Sequence, residues 1–298
     1  MYVRLAVADD QCPMIARIRL AKIPLCLLIG SAALFGAILA DPVVSSEIFL
    51  IVGGVFLVAT GAASLNSLQE LGLDGKMGRT QNRPLPAGQL TPQQAGWQAF
   101  FLIFGGLLLL FIKTSDPLPA VMTASAVILY NGIYTPLKKI TVLAIIPGAM
   151  CGALPSYIGW LAGGGEGFSF TAILLLALFV LWQIPHFWLI LLRYRDEYVV
   201  GRLPNLLQQF RENTLKRLFI TWIGALVFIM LMFATLPYPL AHVVRYGVIL
   251  NALGLAGIFF AWLRLRKSDD YRLLFVVLNC ALFIHMVILA VGRVVGNQ

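Results

Sequence analysis

Charged residues are scarce in this chain of 298 residues. They make up 12% of it, whereas an ordinary globular domain has about 25%. Hydrophobic residues account for 60%, and the mean hydropathy is +0.87. This composition excludes a soluble globular protein and indicates a polytopic membrane protein. The apolar blocks continue to near the C-terminus without a soluble module between them. We therefore expect a cytoplasmic N-terminal segment, residues 1–22, followed by a single membrane domain, residues 23–298.

Cysteines with paired spacing are also missing, and we expect no cleavable leader sequence. The cysteines are scattered, without the spacing of a disulfide framework or a metal site: Cys12, Cys26, Cys151 and Cys280. Three of them lie in apolar segments, where a free cysteine is expected to act as a small buried hydrophobe. The first apolar block begins only after about twenty polar and mixed residues, so no cleavable signal peptide is expected.

Long apolar stretches are what the sequence has instead. A membrane-spanning helix needs roughly 20 mostly apolar residues. Nine stretches meet this requirement: 23–40, 48–68, 95–112, 118–136, 141–162, 170–192, 215–236, 240–262 and 273–293. The chain is therefore predicted to be an all-α membrane protein with nine transmembrane helices, surrounded by membrane lipid.

The basic residues are divided unequally between the two sides of these predicted helices. Of the 22 Lys and Arg residues, only Lys113, Arg245 and Arg293 fall on one side. Cytoplasmic loops carry an excess of Lys and Arg, so we expect an inner-membrane protein with a cytoplasmic N-terminus and a periplasmic or extracellular C-terminus. The net charge of +9 is attributed to this orientation, and nucleic acid is not expected as a partner.

Acidic and basic residues are concentrated in "NSLQELGLDGKMGRTQNRPLPAG", residues 66–88. Asn66, Glu70 and Asp74 are spaced four residues apart, so in a helix they share one face at its cytoplasmic end. Their oxygens suit Mg²⁺, which takes one or two carboxylates together with substrate phosphates. The cations that follow suit phosphate oxygens: Lys76, Arg79 and Arg83. The alternative to a metal and phosphate site is a solvent-exposed helix end whose charges pair with one another.

A second charged cluster, "RYRDE", ends the sixth predicted span. It contains two carboxylates beside two cations: Arg193, Arg195, Asp196 and Glu197. Two acidic clusters that face each other would hold Mg²⁺ ions around a diphosphate, although this run is also typical of a juxtamembrane segment. Lys138 and Lys139 lie on the same predicted side, either as further phosphate contacts or as ordinary cytoplasmic lysines.

Within the sixth span, His186 follows Pro185 and precedes Phe187 and Trp188. Ionisable residues inside a membrane are functional candidates by default. A haem contact, a base and a hydrogen-bonded structural histidine all remain open for His186. His242 and His285 are interpreted as structural. Close helix packing is the favoured role of the glycines at 148, 152 and 159.

The pattern N-x₃-[DE]-x₃-D, followed by basic residues and "RP", resembles the UbiA superfamily of intramembrane prenyltransferases. The segments "DGKMGRTQNRPL", "GALPSYIGW" and "WQIPHFW", with a following "DEY", are similar to its haem-farnesylating branch, and the likeness runs from about Arg17 to Leu206. The resemblance implies nine helices around a central cavity, with diphosphate and Mg²⁺ at the cytoplasmic mouth. It also implies that farnesyl diphosphate alkylates a vinyl group of haem B and that water adds, giving haem O.

The resemblance also assigns roles to individual residues. Asn66, Glu70 and Asp74 match the first metal motif and Asp196, with Glu197 beside it, the second. Arg79 and Arg83 match the basic residues of its first loop, and Lys138 matches the lysine of its second loop. With Lys76, Lys139 and Arg193 added from the charge pattern, these residues make up the predicted diphosphate-binding set. His186, Trp188 and Tyr134 are expected on the acceptor side. Haem B is then a substrate, and haem A synthase or a terminal oxidase assembly is an expected partner.

Two departures from the family pattern are visible. Glu70 stands where Asp is usual, which adds a methylene to a metal ligand, and "LPNL" replaces the usual P-M-L. Two other functions remain open. One is a prenyltransferase of the same type acting on a quinone or chlorin precursor. The other is a transporter, which would place ionisable residues near the middle of its spans.

Overall fold

The computed structural model describes residues 13–114, 116–194, 204, 212–265 and 271–297. Within these ranges the regular structure is helical. In chain order the α-helices are α1 (Pro13–Leu20), α2 (Ile23–Ala40), α3 (Ser46–Gln69), α4 (Leu71–Asp74), α5 (Pro92–Lys113), α6 (Leu118–Val127), α7 (Thr135–Leu137), α8 (Ile145–Ala162), α9 (Phe170–Arg193), α10 (Glu212–Met232), α11 (His242–Leu265) and α12 (Tyr271–Val295). A π-helix, Ile128–Tyr134, joins α6 to α7.

Nine helical segments of the described chain are long and apolar enough to cross a membrane. They coincide with the nine predicted stretches, so the prediction of an all-α, nine-span membrane protein is confirmed. Helices α6 and α7 and the π-helix between them together form the fourth span, Leu118–Leu137.

Side chains at the starts of three spanning helices satisfy backbone N–H groups. The Ser45 hydroxyl accepts from the Ile48 N–H at the start of α3, and Ser169 accepts from Ala172 at the start of α9. Thr91 and Gln94 form a reciprocal capping box at the start of α5. The first N–H groups of a helix lack intrahelical partners, so these residues fix where each span begins.

Small residues let helices α2 and α8 approach closely. A Cβ atom added to Gly36 would lie 1.8 Å from the Ser156 carbonyl oxygen, and one added to Gly159 would lie 1.8 Å from that of Ala33. Backbone is therefore packed directly against backbone at this crossing, as is common where membrane helices carry small residues. The packing role expected for the glycine at 159 is the one that the structure shows.

Two of the three cations on the predicted side with few basic residues stabilise the fold through hydrogen bonds to backbone carbonyls. Arg293 donates to the Leu39 carbonyl over 3.1 Å and lies 3.9 Å from the centre of the Tyr238 ring. Arg245 donates to the carbonyls of Ala234 and Tyr238. Both guanidinium groups satisfy carbonyls near helix ends, so they tie α2, α11 and α12 together at this end of the bundle.

The described cysteines are free thiols. Cys26 is buried, Cys151 is half-buried and Cys280 is exposed, while Cys12 lies outside the described residues. The expectation of a buried small hydrophobe therefore holds for Cys26 but not for Cys280.

Candidate active site

Two connected spaces lie inside the bundle. The first, which we call the polar pocket, has a volume of about 240 Å³ and is lined by Asn66, Glu70 and Asp74 together with several cations. The second, the apolar cavity, has a volume of about 630 Å³, within the range of small-molecule sites. Tyr130, Tyr134, Lys138, Ile145 and Phe187 line both spaces. The polar pocket and the apolar cavity therefore share a wall.

The three oxygen-bearing residues reach the polar pocket from a broken helix. Helix α3 ends at Gln69, Glu70 has φ −103° and ψ 5°, and Asp74 ends the separate short helix α4. The expectation of one continuous helix is therefore wrong in detail, although the Asp74 N–H still bonds to the Glu70 carbonyl over 2.8 Å. All three residues are less than 10% exposed, so the predicted grouping of their side chains is present.

Each of these residues contacts a cation from elsewhere in the chain. Arg83 donates to both carboxylate oxygens of Asp74 over 2.8 Å. The Lys138 ammonium lies 2.6 Å from Glu70 Oε1, and the Lys22 ammonium donates to Asn66 Oδ1 over 3.2 Å. Buried charges are costly unless paired, so these contacts make a dense cluster of charge compatible with burial.

Lys22 is a site residue that the sequence pattern does not indicate, because a lysine before an apolar block is typical of any cytoplasmic helix boundary. It precedes α2 with φ 50°, the single left-handed non-glycine residue of the described chain. This backbone region is uncommon for such side chains. Burial, reinforced by the nearby positive charge of Arg83, lowers the pKa of Lys22 to about 8, against an opposing effect of Glu70. An unusual backbone conformation and a buried ammonium together mark this residue as part of the site.

The π-helix positions the opposite wall of the pocket. Asn66 Nδ2 donates to the Thr135 hydroxyl over 3.1 Å, and that hydroxyl donates to the Tyr130 carbonyl. Asn131 donates to Gln69 Oε1, and Gln69 Nε2 donates back to the Asn131 carbonyl. The extra residue of a π-turn frees backbone groups and frequently occurs at functional sites. Here those bonds fix Asn66 relative to the fourth span.

The loop after α4 is held by the N-terminal helix. Leu85 and Leu90 are buried against Ala16 and Leu20 of α1, and Arg19 donates to the Asn82 carbonyl over 3.1 Å. Part of the expected N-terminal segment is therefore a structural helix. Its packing holds the loop that carries Arg83 over the polar pocket.

The first acidic motif fits Mg²⁺ by its donor chemistry. Two carboxylates and an amide oxygen are hard donors, and Mg²⁺ usually keeps further positions for water and phosphate. The described residues contain no group of three or more His, Cys, Asp or Glu side chains that would enclose a metal without such help. Arg195, Asp196 and Glu197 of the second predicted cluster lie outside the described residues.

The remaining predicted cations divide into two groups. Arg79 lines the polar pocket, and its guanidinium lies 4.7 Å from the centre of the Tyr194 ring. Lys76 is exposed and is not part of the pocket lining. Lys139 donates to the Gln69 carbonyl over 3.1 Å, and the guanidinium of Arg193 lies 5.2 Å from the Tyr194 ring. The lining of the polar pocket does not include Lys76, Lys139 or Arg193. The predicted cations that the structure brings together there are Arg79, Arg83 and Lys138.

The three residues expected on the acceptor side do not share one location. His186 lines the apolar cavity, and Tyr134 stacks on Tyr130 at the border of the two spaces, with ring centres 5.7 Å apart. Trp188 points elsewhere: it is buried against Phe219 and Trp222 and lines neither space. Trp188 comes two positions after His186 in the same helix, a spacing that turns its side chain away from the cavity.

The other histidines lie apart from the site. His285 is fully buried and packs edge-on against Phe233. Among the residues that the structure describes, neither of its ring nitrogens has a hydrogen-bond partner. His242 is exposed at the start of α11. Neither lines the two spaces.

A charged pocket borders an apolar cavity inside a bundle of membrane-spanning helices, an arrangement typical of a membrane protein that binds an amphiphilic ligand. The UbiA prenyltransferase family matches residues 29–287, and the chain belongs to this family. The protoheme IX farnesyltransferase of Nitratidesulfovibrio vulgaris is 34% identical over 268 residues, which cover 90% of this chain and 91% of that protein. The protoheme IX farnesyltransferase of Geobacter sulfurreducens is 41% identical over 180 residues, 60% of this chain and 66% of that protein.

Solved structures share the fold. A UbiA homolog from Archaeoglobus fulgidus bound to GPP and Mg²⁺ superposes with a TM-score of 0.65 at 15% identity, covering 94% of this chain and 99% of that one. Digeranylgeranylglyceryl phosphate synthase gives a TM-score of 0.76 at 13% identity, covering 95% and 99%. At these identities the likeness shows the fold alone.

Proposed function

We propose that this prenyltransferase transfers the farnesyl group of farnesyl diphosphate to a vinyl group of haem B, giving haem O. The observation that carries the proposal is the junction of the polar pocket with the apolar cavity at Tyr130, Tyr134 and Lys138. It suits a substrate with a diphosphate head and a long apolar tail. The two farnesyltransferase relatives, each at least 34% identical, support haem as the acceptor.

Charge explains how the polar pocket would hold the diphosphate. Asn66, Glu70 and Asp74, with Asp196 and Glu197 from the second cluster, are the ligands we assign to Mg²⁺. When bound, Mg²⁺ neutralises the charge that develops on the departing diphosphate. Arg83 and Lys138 now pair with Asp74 and Glu70. A magnesium diphosphate brings charges of both signs, so it can satisfy the carboxylates and the cations together.

The basic residues would then stabilise the leaving group directly. Breaking the allylic C–O bond leaves the electron pair on diphosphate and a delocalised carbocation on the farnesyl chain. We assign Lys22, Arg79, Arg83 and Lys138 to the diphosphate oxygens, as preorganised cations at the place where negative charge develops. Of the predicted set, Lys76, Lys139 and Arg193 lie outside the pocket lining, and we leave them without a direct role.

The apolar cavity would shelter the carbocation and hold the acceptor. Excluding water from its walls prevents premature hydrolysis, and holding both substrates orients the reacting carbons. The vinyl π-electrons form the new C–C bond, the cation moves to the carbon next to the porphyrin, and water adds there with loss of a proton. His186 and Tyr134 are the acceptor-side residues that line the cavity.

We further propose that the chain is a single domain of the inner membrane from residue 23 onwards, with its N-terminus cytoplasmic. The unequal distribution of Lys and Arg supports this orientation. With that orientation the polar pocket would face the cytoplasm, and diphosphate would enter from there. Haem A synthase and terminal oxidase assembly are the partners expected to use the product.

Product analysis tests the function. Purified protein supplied with farnesyl diphosphate, Mg²⁺ and haem B is expected to yield haem O by mass spectrometry, with no product from 4-hydroxybenzoate. Asp74→Ala is expected to abolish the product while the protein remains folded, because Arg83, the ion-pair partner that would be left over, has a side chain that is 31% exposed and can be solvated. Glu47→Gln removes an exposed acid at the start of α3 and should leave turnover unchanged.

Two results would contradict the proposal. A prenylated benzoate in place of haem O would identify a quinone-type enzyme. Full haem O production by Asp74→Ala would remove Asp74 from the mechanism.

A further inference from the structure

Polar side chains reappear in the apolar cavity where α9 meets α12, away from the polar pocket. Gln183 and His186 of α9 and Asn279 of α12 all line the cavity there. His186 Nδ1 lies 3.1 Å from Asn279 Oδ1. Phosphate chemistry gives no role to this contact, so it requires its own explanation.

The orientation of the Asn279 amide is fixed by the helix that carries it. Its Nδ2 donates to the Phe275 carbonyl, four residues earlier in α12, over 2.5 Å. A carbonyl can only accept a hydrogen bond, so the amide NH₂ must face Phe275. The amide oxygen is therefore the atom that faces His186.

That oxygen in turn selects the histidine tautomer. A neutral imidazole carries one N–H and one unprotonated nitrogen. Because Asn279 Oδ1 can only accept, the proton is on Nδ1 and the lone pair is on Nε2. The imidazole ring also packs against Trp182 and Phe275, whose ring centres lie 4.5 and 4.9 Å away at interplanar angles of 39° and 40°. With Nδ1 bonded and the ring flanked, the Nε2 edge is the part of His186 available to a molecule in the cavity.

We propose that Asn279 is a positioning residue that holds His186 in this tautomer, so that Nε2 ligates the iron of haem B. This inference rests on the proposed function, because haem is the acceptor assigned there. Histidines that ligate metals commonly donate their other N–H to an acceptor, which fixes ring orientation and raises ligand basicity. Anchoring the iron would fix the porphyrin in the cavity and thereby limit which of its edges meets the farnesyl chain.

Haem titration in the absence of prenyl diphosphate tests the inference by spectroscopy. The full-length protein in detergent is titrated with haem B, and its absorption and electron paramagnetic resonance spectra are recorded. The wild-type protein should show an imidazole-ligated iron that His186→Ala lacks. Asn279→Leu keeps the size of the side chain but removes the acceptor, so it should lose most of this signature and bind haem about 10–100-fold more weakly.

Two further variants keep the test decisive. Asn279→Asp retains an oxygen acceptor for His186 in either protonation state and should restore the ligated spectrum, which a merely structural role would not predict. Asn251→Leu removes an amide that donates to the Ala281 carbonyl in the same membrane region but does not line the cavity. It should leave the haem spectrum unchanged.

The outcomes separate the inference from the function on which it rests. If haem O forms but the spectra of wild type, His186→Ala and Asn279→Leu coincide, the inference fails and the function stands. The inference also fails if Asn279→Asp lacks the ligated spectrum although it binds haem. If the wild-type protein neither binds haem B nor forms haem O, the proposed function fails and this inference with it.

Discussion

At the scale of single residues, the polar pocket is organised by contacts between distant parts of the chain. Lys22 precedes α2, Arg83 comes from the loop after α4, and Lys138 follows α7, yet each reaches an oxygen of the first acidic motif. Removing one partner of a buried pair leaves an uncompensated charge, which is more costly than removing both. These cations therefore position the three residues that we propose as metal ligands, and we propose that they also bind phosphate.

Substitutions of these cations should affect the two substrates differently. Lys22→Met and Arg83→Ala are each expected to raise the KM for farnesyl diphosphate about 10-fold or more, the usual size of one lost charge-assisted hydrogen bond. The KM for haem B should change little. Steady-state kinetics with one substrate varied at a time measures both values. Lys113→Met, at the end of α5 on the sparsely basic side, is the matched control. Equal increases for both substrates would argue against a phosphate role.

Sequence reasoning found part of this site because residue type and spacing carry local information. The four-residue spacing of Asn66, Glu70 and Asp74 keeps them on one side of the chain even though α3 ends at Gln69. Lys22 was missed because a lysine before an apolar block is typical of any cytoplasmic boundary. Its left-handed backbone and its contact with Asn66 depend on where α3 packs.

At the scale of elements, two features shape the site: the α2–α8 crossing and the π-helix. The crossing brings backbone against backbone at Gly36 and Gly159. The π-helix turns Asn131 and Thr135 towards α3, where both are buried. Hydropathy reveals neither feature, because it depends on which residues are present. It does not depend on the hydrogen-bond pattern of the backbone or on how two helices cross. The sequence therefore predicts the fourth span but not the π-helix, Ile128–Tyr134, that it contains.

Adding one methyl group at the crossing should destabilise the bundle. In Gly159→Ala, the new Cβ would meet the Ala33 carbonyl oxygen at 1.8 Å, so α2 and α8 must move apart. Overpacking of this kind typically costs about 1–3 kcal/mol. We expect a lower Tm in detergent, measured by tryptophan fluorescence.

The matched control for this prediction is Gly53→Ala in α3. No atom lies within 4 Å of a Cβ atom added at Gly53, and alanine is the better helix former. Its Tm should therefore be unchanged or slightly higher. Equal Tm values for Gly159→Ala and the wild-type protein would contradict the tight crossing.

At the scale of the whole molecule, charged side chains are concentrated at the two ends of the helical bundle. The acids and cations of the polar pocket lie at one end of the bundle, and Arg245 and Arg293 bond to carbonyls at the other. Charges are costly at the centre of a bilayer, so the ends of the helices are where they are tolerated. This arrangement favours a membrane enzyme over a transporter, which would need ionisable residues near the middle of its spans.

Labelling in intact cells should reveal the orientation. Gln89 and Asp116 are both exposed and lie in loops on opposite sides of the predicted membrane. With the N-terminus cytoplasmic, Asp116→Cys should react with a membrane-impermeant maleimide and Gln89→Cys only after permeabilisation. The background variant has its four cysteines replaced by serine or alanine. The reverse pattern of labelling would contradict the proposed orientation.

The sequence by itself determined the nine spans, the side on which the basic residues accumulate and the residue types of the proposed metal and phosphate site. These follow from hydrophobicity, charge and short-range spacing, which are local properties of the chain. Only the tertiary structure decided that Lys22 joins the polar pocket, that Trp188 faces away from the cavity and that Asn279 meets His186. Residues 186 and 279 lie on different helices, and their contact depends on how those helices rotate and pack. Hydropathy carries no information about that rotation.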